Sequence, residues 1–247
     1  MTLKSPQEIA VMRQAGAITR GALDAARQAV RPGITTLEID KVVEEYILAA
    51  GAVPSFKGYG GFTGSACVSV NEQVVHGIPG ERVLNEGDIV SIDVGAMFNG
   101  FHGDAARTYS VGRISADAQR LIDVTRQCFY EGMRYAKVGY RLGDLGAAIQ
   151  QYAENAGFSV VRELIGHGVG RNLHEPPDVP NYGIAGHGQR LQQGMTIAVE
   201  PMINAGTRRV RTLKDGWTVV TADGAYSAHY ENSIAITDGE PMILTAI

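Results

Sequence analysis

Four acidic residues occur within or beside apolar, strand-like stretches of the sequence. They are Asp93, Asp104, Glu200 and Glu231. The first two flank Asn99-Gly100, a pair typical of a two-residue hairpin turn, so a hairpin would bring both carboxylates side by side. A carboxylate buried among apolar side chains is costly unless a partner compensates its charge. If these acids converge in the folded chain, they therefore need a common cationic partner.

A histidine in a glycine-rich stretch can join the four acids. His167 lies between Gly166 and Gly168, and glycines let the backbone approach neighbouring segments closely. Two like charges about 4 Å apart repel by roughly 4 kcal/mol at an effective dielectric constant of about 20, so four converging carboxylates need cations. Two divalent ions would cancel the four charges, and an oxygen-rich set with one nitrogen favours Mn²⁺, Fe²⁺ or Co²⁺ over a thiolate-type zinc site. Such a pair of ions can activate water and polarise a peptide carbonyl.

Each of these residues alone has a simpler interpretation. A single strand aspartate is more often a turn ligand or half of a surface salt bridge, and a histidine beside glycines is more often a satisfied loop residue. The repetition of the pattern favours a shared role. In each half of the chain a turn glycine, an apolar strand and a carboxylate follow a His-Gly pair: His76-Gly77, Gly87 and Asp93, then His167-Gly168, Gly194 and Glu200.

Helices and strands alternate in the same order twice. Ser5 with Glu8 and Thr35 with Glu38 have the form of capping boxes and predict two helices. Apolar periodicity predicts two more helices, over 115–135 and 142–156, and strands over 67–70, 89–94, 158–164, 195–200, 217–221 and 230–237. We therefore expect one α/β catalytic domain, residues 1–247, made of two duplicated halves of approximately 1–112 and 113–247. The alternative is that two unrelated strands merely look alike.

Composition and charge exclude several other classes of protein. The net charge of −4 argues against a protein that binds DNA or RNA, since such proteins usually carry a basic excess. Cys67 and Cys128 form no CxxC pair, so a zinc ribbon and a thioredoxin-like motif are both excluded. There is no apolar run of about 18 residues, and the N-terminus lacks the apolar region of a secretory signal. We expect a cytoplasmic monomer with no membrane contact.

Several motifs, in order over nearly the whole chain, resemble the type I methionine aminopeptidases. They are His76-Gly77-Ile78-Pro79, Asp93 with Phe101-His102-Gly103-Asp104, Gly166-His167-Gly168-Val169-Gly170 with His174-Glu175, Val199-Glu200-Pro201 and Tyr230-Glu231. Jointly these motifs are highly specific. The resemblance implies a pita-bread fold, in which two pseudo-symmetric α/β halves with a central antiparallel sheet, covered by helices, surround a cleft. It also implies removal of the N-terminal methionine from nascent proteins and peptides when the next residue is small.

The resemblance further implies a role for each candidate site residue. Two divalent metal ions, Mn²⁺, Fe²⁺ or Co²⁺, would be held by Asp93, Asp104, His167, Glu200 and Glu231. Asp104 and Glu231 would bridge the ions, and Glu200 would also act as the general base for a water or hydroxide shared by them. His174 would contact the scissile carbonyl. His76 would lie beside the substrate and assist proton transfer or positioning.

An apolar slot for methionine is expected from residues outside the acid cluster. The matching family positions are Phe56, Tyr59, Phe62, Cys67 and Trp217. Without the resemblance, ordinary core packing would be a competing interpretation of these residues. Leu173 occupies a position where relatives can carry an aromatic ring, so the shape of this slot departs from the family pattern.

Two other interpretations stay open on the sequence. The chain could be another pita-bread hydrolase, such as a proline-directed or creatinase-like enzyme, or a non-catalytic binding module on the same fold. A helix-borne zinc protease is rejected, because the segment that begins His174-Glu175 lacks the second histidine of HExxH.

A basic cluster, which is either a solvated hairpin or a ribosome-facing patch, comprises Arg208, Arg209, Arg211 and Lys214. His102 and His229 each precede a candidate ligand by two positions, where they could support those ligands.

Overall fold

The computed structural model describes residues 2–246, which form helices, short strands and one 3₁₀ turn. The helices are α1 (Pro6–Ala29), α2 (Thr36–Ala49), α3 (Ala116–Met133) and α4 (Leu142–Asn155), and the 3₁₀ turn is Tyr59–Gly61. The first strands are β1 (Val53–Pro54), β2 (Ala66–Val70), β3 (Gln73–Val75), β4 (Ile89–Phe98) and β5 (Phe101–Ser110). The later strands are β6 (Ser159–Val160), β7 (Gly166–Gly168), β8 (Glu175–Val179), β9 (Thr196–Val199), β10 (Met202–Asn204), β11 (Val210–Thr212), β12 (Val219–Thr221), β13 (Ser227–His229), β14 (Asn232–Ala235) and β15 (Met242–Ile243).

Both predicted capping boxes are present. The Ser5 hydroxyl accepts from the Glu8 N–H at 3.3 Å, and the Glu8 carboxylate accepts from the Ser5 N–H at 2.9 Å. Thr35 and Glu38 make the same reciprocal pair at 3.2 and 2.7 Å. These bonds satisfy N–H groups that would otherwise lack a partner in the first turn, which is why α1 and α2 begin where the sequence predicts. None of the helices of residues 2–246 is long and apolar enough to cross a membrane.

The predicted hairpin that carries Asp93 and Asp104 is β4–β5. Its turn residues Asn99 and Gly100 have φ angles of 49° and 78°, the positive values that a two-residue hairpin turn requires. Asp93 pairs with Ala106 across the ladder, two residues from Asp104. Since residues two apart on a strand share a face, the two carboxylates are diagonal neighbours on the same face of the hairpin.

In the second half of the chain, the strands of the structure are shorter than the sequence predicts. The stretch 158–164 contains only β6, and Glu200 and Glu231 lie just beyond β9 and just before β14. β7 and β8 were not predicted, because β7 is mostly glycine and β8 contains Pro176 and Pro177. Proline can occupy β8 because this strand is at the edge of its sheet, next to β7 only.

The strands form antiparallel sheets, and the two larger sheets lie in different halves of the chain. One contains the β4–β5 hairpin with β1 and β2, and the other has the order β15-β14-β9-β7-β8. α1 and α2 pack on the first sheet around Leu23, Val43 and Ile92, while α3 and α4 pack on the second around Phe129 and Ile197. That the halves arose by duplication stays a prediction.

The two halves join where β5 meets β14. The Asp104 N–H donates to Ser233 Oγ, and that hydroxyl donates to the Asp104 carbonyl, both at 2.9 Å. The Glu231 N–H donates to the Ala106 carbonyl at 2.9 Å. Backbone contacts at this junction therefore bring an acid from each half together.

Candidate metal centre

Every residue predicted to bind metal or substrate lines one cavity of about 380 Å³. Its lining comprises Phe56, Tyr59, Phe62, Cys67, Val75, His76, Asp93, Asp104, Leu164, Ile165, His167, Leu173, His174, Glu200, Met202, Trp217 and Glu231. A larger cavity of about 630 Å³ lies beside α1 and α3. The larger cavity contains none of the predicted metal or substrate residues, so the chemistry points to the smaller one.

Strand ends from both halves deliver the acidic side chains. Asp93 and Asp104 lie within β4 and β5, as the hairpin register requires. In the β14–β9 ladder, Asn232 pairs with Val199, so Glu231 and Glu200 emerge together from the end of that pair of strands. Sequence-distant acids therefore converge, as the family resemblance implies.

His167 is brought to the acids by close backbone packing of β7. A Cβ atom on Gly166 would lie 2.3 Å from the Ala198 carbonyl oxygen, and one on Gly168 would lie 2.5 Å from that of Glu175. No side chain fits at either distance, which confirms the predicted need for glycine around this histidine. His167 Nδ1 lies 2.8 Å from the Gly168 carbonyl oxygen. Because a carbonyl only accepts, Nδ1 carries the hydrogen and Nε2 keeps a lone pair for a metal ion.

The imidazole of His167 lies close to two of the acids, beyond hydrogen-bond length. His167 Nε2 lies 3.7 Å from Asp104 Oδ2 and 3.6 Å from Glu200 Oε1. Within two groups of three residues, the ligand atoms all lie within 4.8 Å of one another. These groups are Asp104, His167 and Glu231, and Asp93, His229 and Glu231. The second group includes His229, which the sequence suggested only as a supporting residue.

Burial and mutual repulsion perturb the titration of the cluster. Burial raises the pKa of Asp93 to about 7. Burial, and then the charge of neighbouring acids, raises the pKa of Asp104, Glu200 and Glu231 well above the usual range. Burial lowers the pKa of His167 to about 4, so this imidazole is neutral at pH 7. Without cations, the folded protein therefore holds protons on carboxyl groups that would be ionised in water.

Unsatisfied buried atoms show that the cluster fits metal ions. Asp93 Oδ1, Asp104 Oδ1 and Glu231 Oε1 are buried and have no hydrogen-bond partner in the described part of the chain. Buried polar atoms are almost always paired, so oxygens left open in this way indicate a missing partner. Carboxylate oxygens with a neutral imidazole form a donor set suited to divalent first-row ions.

Two further histidines stand beside the acid cluster. The His174 ring lies 4.0 Å from the His167 ring, centroid to centroid, and its Nδ1 lies 2.9 Å from the Tyr59 hydroxyl. Burial lowers the pKa of both His174 and His76, the latter to about 4. Both imidazoles are thus neutral at pH 7 and can donate or accept a hydrogen bond.

The residue after His174 does not face the acid cluster. Glu175 forms a largely buried ion pair with Lys4, whose Nζ lies 2.5 Å from Glu175 Oε2. The Asn172 N–H donates to Glu175 Oε1 at 3.0 Å. These contacts fix the segment that carries His174, and they agree with the rejection of a helix-borne HExxH site.

Apolar side chains form the wall of the cavity next to Asp93. Phe56, Phe62, Cys67 and Leu173 make one buried cluster, against which Trp217 packs edge-on to Phe62 at 5.1 Å. Cys67 pairs directly with Asp93 in the β2–β4 ladder, so this wall adjoins the acids. Tyr59, at 45% exposure, lies at the mouth instead. Leu173, the departure from the family pattern, is 2% exposed and helps to close the wall.

Comparisons with known proteins agree with this architecture. Methionine aminopeptidase 1 of Bacillus subtilis (strain 168) is 54% identical over 244 residues, which cover 99% of this chain and 98% of that protein. The methionine aminopeptidase of Clostridium perfringens (strain 13 / Type A) is 56% identical over 245 residues, with the same coverage. The crystal structure of methionine aminopeptidase from Thermotoga maritima is 46% identical, has a TM-score of 0.98 and aligns over 100% of both chains.

The structural likeness confirms the predicted pita-bread fold, with its mixture of helices and antiparallel strands. The family model that matches is described as metallopeptidase family M24 and spans residues 10–238. Because that match covers most of the sequence, the chain belongs to metallopeptidase family M24.

Proposed function

We propose that this protein removes the N-terminal methionine from nascent proteins and peptides whose next residue is small. The observation that carries the proposal is the direct pairing of the slot residue Cys67 with the acid Asp93. A side chain held in the apolar slot would place its own backbone beside the acid cluster. The relatives that are 54% and 56% identical over nearly the full chain are named methionine aminopeptidases, which supports the same activity here.

The acid cluster would hold two divalent ions, Mn²⁺, Fe²⁺ or Co²⁺. Asp93 would bind one ion, His167 and Glu200 the other, and Asp104 and Glu231 would bridge them. Glu231 belongs to both close groups of ligand atoms, which supports its bridging role, and the 3.6 Å between His167 Nε2 and Glu200 Oε1 supports placing these two on one ion. When bound, such ions activate water and polarise the scissile carbonyl.

Glu200 would accept the proton of the attacking water. Its carboxylate lies at the cluster, and burial followed by the charge of Asp93 raises its pKa. A carboxylate in this position can accept a proton from the water and pass it to the leaving amine.

The neutral histidines would orient the peptide. With the Tyr59 hydroxyl donating to His174 Nδ1, His174 Nε2 carries the hydrogen and can donate it to the scissile carbonyl. His76, whose ring lies 6.3 Å from that of Trp217, would position the substrate from the other wall.

Selection of methionine would come from the apolar wall and the narrow mouth. Phe56, Phe62, Cys67 and Trp217 present aromatic and sulfur surfaces, which interact favourably with a thioether. At the mouth the Tyr59 and His174 rings stack at 5.2 Å, and this pair would limit the size of the second residue.

Hydrolysis of short peptides tests the proposal. Purified protein supplied with Mn²⁺, Fe²⁺ or Co²⁺ should release methionine from Met-Ala-Ser and not from a peptide with a bulky second residue. Stripping the metal with a chelator should abolish release, and adding it back should restore it. Cleavage of an Xaa-Pro panel with no release from Met-Ala-Ser would favour a proline-directed hydrolase instead. Failure to take up metal would favour a binding module, although the five candidate ligands are all present.

The basic cluster lies on the β11–β12 hairpin, and its four side chains are exposed. Arg208 lies 3.7 Å from Glu163. A ribosome-facing patch and a solvated hairpin stay the two interpretations of this cluster. Salt-sensitive binding to ribosomes that is weakened by substituting Arg208, Arg209 and Arg211 would support the patch, and unchanged binding would reject it. The cytoplasmic location and the monomeric state also stay predictions.

A further inference from the structure

His229 is buried at the acid cluster without any of the bonds that buried histidines normally make. The residue is 2% exposed, and among residues 2–246 neither Nδ1 nor Nε2 has a hydrogen-bond partner. Its backbone is firmly held, since its N–H donates to Thr108 Oγ1 and its carbonyl accepts from that hydroxyl, both at 2.9 Å. Leaving a buried polar group unsatisfied costs about 1–3 kcal/mol, so the ring is expected to serve a partner.

The distances around His229 match those around His167. His229 Nε2 lies 3.7 Å from Glu200 Oε2 and 3.9 Å from Glu231 Oε2. His167 Nε2 lies 3.7 and 3.6 Å from its own carboxylate neighbours. All four separations exceed the length of a hydrogen bond. With metal–ligand bonds of about 2.1 Å, two ligands of one ion are about 3.0 Å apart at right angles and about 4.2 Å apart when opposite. The 3.9 Å between His229 Nε2 and Glu231 Oε2, the acid proposed to bridge both ions, therefore fits shared coordination.

We propose that His229 Nε2 is a sixth protein ligand and binds the ion that Asp93 holds. The inference rests on the two-ion centre proposed above and adds one donor to it. Ligand atoms of Asp93, His229 and Glu231 lie within 4.8 Å of one another, which is the group such an ion requires. Without His229, the protein ligands of this ion would all be carboxylates.

The added nitrogen has a chemical consequence for this position. Carboxylate oxygens suit Mg²⁺, Ca²⁺ and Mn²⁺, whereas imidazole suits transition ions such as Fe²⁺ and Zn²⁺. His229 would therefore raise the affinity of the Asp93 position for transition ions relative to Mg²⁺. In this chain both ion positions would then contain one imidazole, from His167 and from His229.

Metal titration of His229→Gln tests the proposal. Glutamine can still donate a hydrogen bond to Glu200 but is a poor ligand, so it separates coordination from hydrogen bonding. The parent should bind two Co²⁺ ions by calorimetry after metal stripping, and His229→Gln should bind the first ion like the parent and the second at least tenfold more weakly. X-ray absorption should count one imidazole per ion in the parent and half as many in the variant at saturation. His229→Ala, checked for folding by circular dichroism, should behave in the same way.

His102→Ala is the control, because this histidine also precedes a proposed ligand by two residues but, unlike His229, is only partly buried. Its Nδ1 lies 2.8 Å from Ser55 Oγ, so it has a partner already. The control should bind both ions like the parent. If His229→Gln binds two ions with parental affinity and an unchanged imidazole count, the proposed sixth ligand is wrong. If the parent itself binds no ions, the proposed function fails instead.

Discussion

Without metal, the Asp104→Asn variant is expected to be more stable than the parent. With metal present, it is expected to be less stable than the parent. The carboxyl group of Asp104 is 3% exposed, and burial, with the charges of Asp93 and Glu200, raises its pKa well above 3.8. A raised pKa in the folded state gives stability that is complete below the unfolded pKa and is lost as the pH rises through the folded pKa. At neutral pH, Asp104 therefore costs stability unless cations are bound.

The size of the effect follows from the spacing of the acids. Ligand atoms of Asp104 and Glu231 lie within 4.8 Å, so two full charges would repel by about 3.5 kcal/mol at an effective dielectric constant of about 20. Retained protons reduce this cost, and we expect Asp104→Asn to add about 1–3 kcal/mol to the free energy of unfolding of the metal-free protein at pH 7.5. With free metal at about 1000 times its dissociation constant, each bound ion adds about 4 kcal/mol to the parent, and the variant loses most of that gain.

Urea unfolding with and without chelator measures both effects. Trp217 is the only tryptophan and lines the cavity, so its fluorescence reports unfolding directly. The variant should have the higher midpoint in chelator and the lower midpoint in metal, with an unchanged slope. The control Asp178→Asn replaces an exposed aspartate on β8. It should change the free energy of unfolding by no more than about 0.5 kcal/mol, both in chelator and in metal. A metal-free variant less stable than the parent would refute the reasoning.

Further outcomes follow from the same geometry. Asp104→Ala should lower the rate of Met-Ala-Ser hydrolysis by more than tenfold, since a bridging ligand is lost; activity within tenfold of the parent contradicts the ligand assignment. His174→Ala should slow turnover while metal content, measured by mass spectrometry, stays parental; loss of metal would show that His174 is a ligand. Between pH 6.5 and 8 the metal-free parent should lose unfolding free energy, by up to about 1.4 kcal/mol per pH unit for each carboxyl that still holds its proton, because Asp93 has a folded pKa of about 7. Urea titrations should show no such slope with metal bound, and a metal-free stability that rises with pH would contradict the protonated cluster. Phe62→Ala should raise KM for methionine peptides by roughly tenfold, as an apolar contact of about 1.4 kcal/mol is lost; an unchanged KM would remove Phe62 from the slot.

Local signals in the sequence were sufficient for the parts of the fold that depend on few residues. The capping boxes at Ser5 and Thr35 and the Asn99-Gly100 turn each rest on side chains next to one another, and all three form as predicted. The acid cluster was predictable for a different reason. A carboxylate in an apolar strand needs compensation wherever the strand goes, so the charges indicated a shared partner before any distance was known.

The parts that could not be predicted depend on packing between distant segments. β7 and β8 are too short and too rich in glycine and proline for a periodicity to appear, and they pair only because neighbouring backbones approach closely. His229 was suggested only as a supporting residue. Its position two residues before Glu231 was the available signal in the sequence. Its ring nitrogens, which lack hydrogen-bond partners among the described residues, became visible only in the folded chain.

The reciprocal bonds between Asp104 and Ser233 lie at the junction of the halves, and so do the proposed ligands. The first half contributes Asp93 and Asp104, and the second contributes His167, Glu200 and Glu231. Ions bound by both sets would act as crosslinks, because separating the two sets would break coordination on each side. Metal uptake and docking of the two parts of the chain would therefore be thermodynamically linked, and the affinity of the ions would add to the work needed to pull them apart.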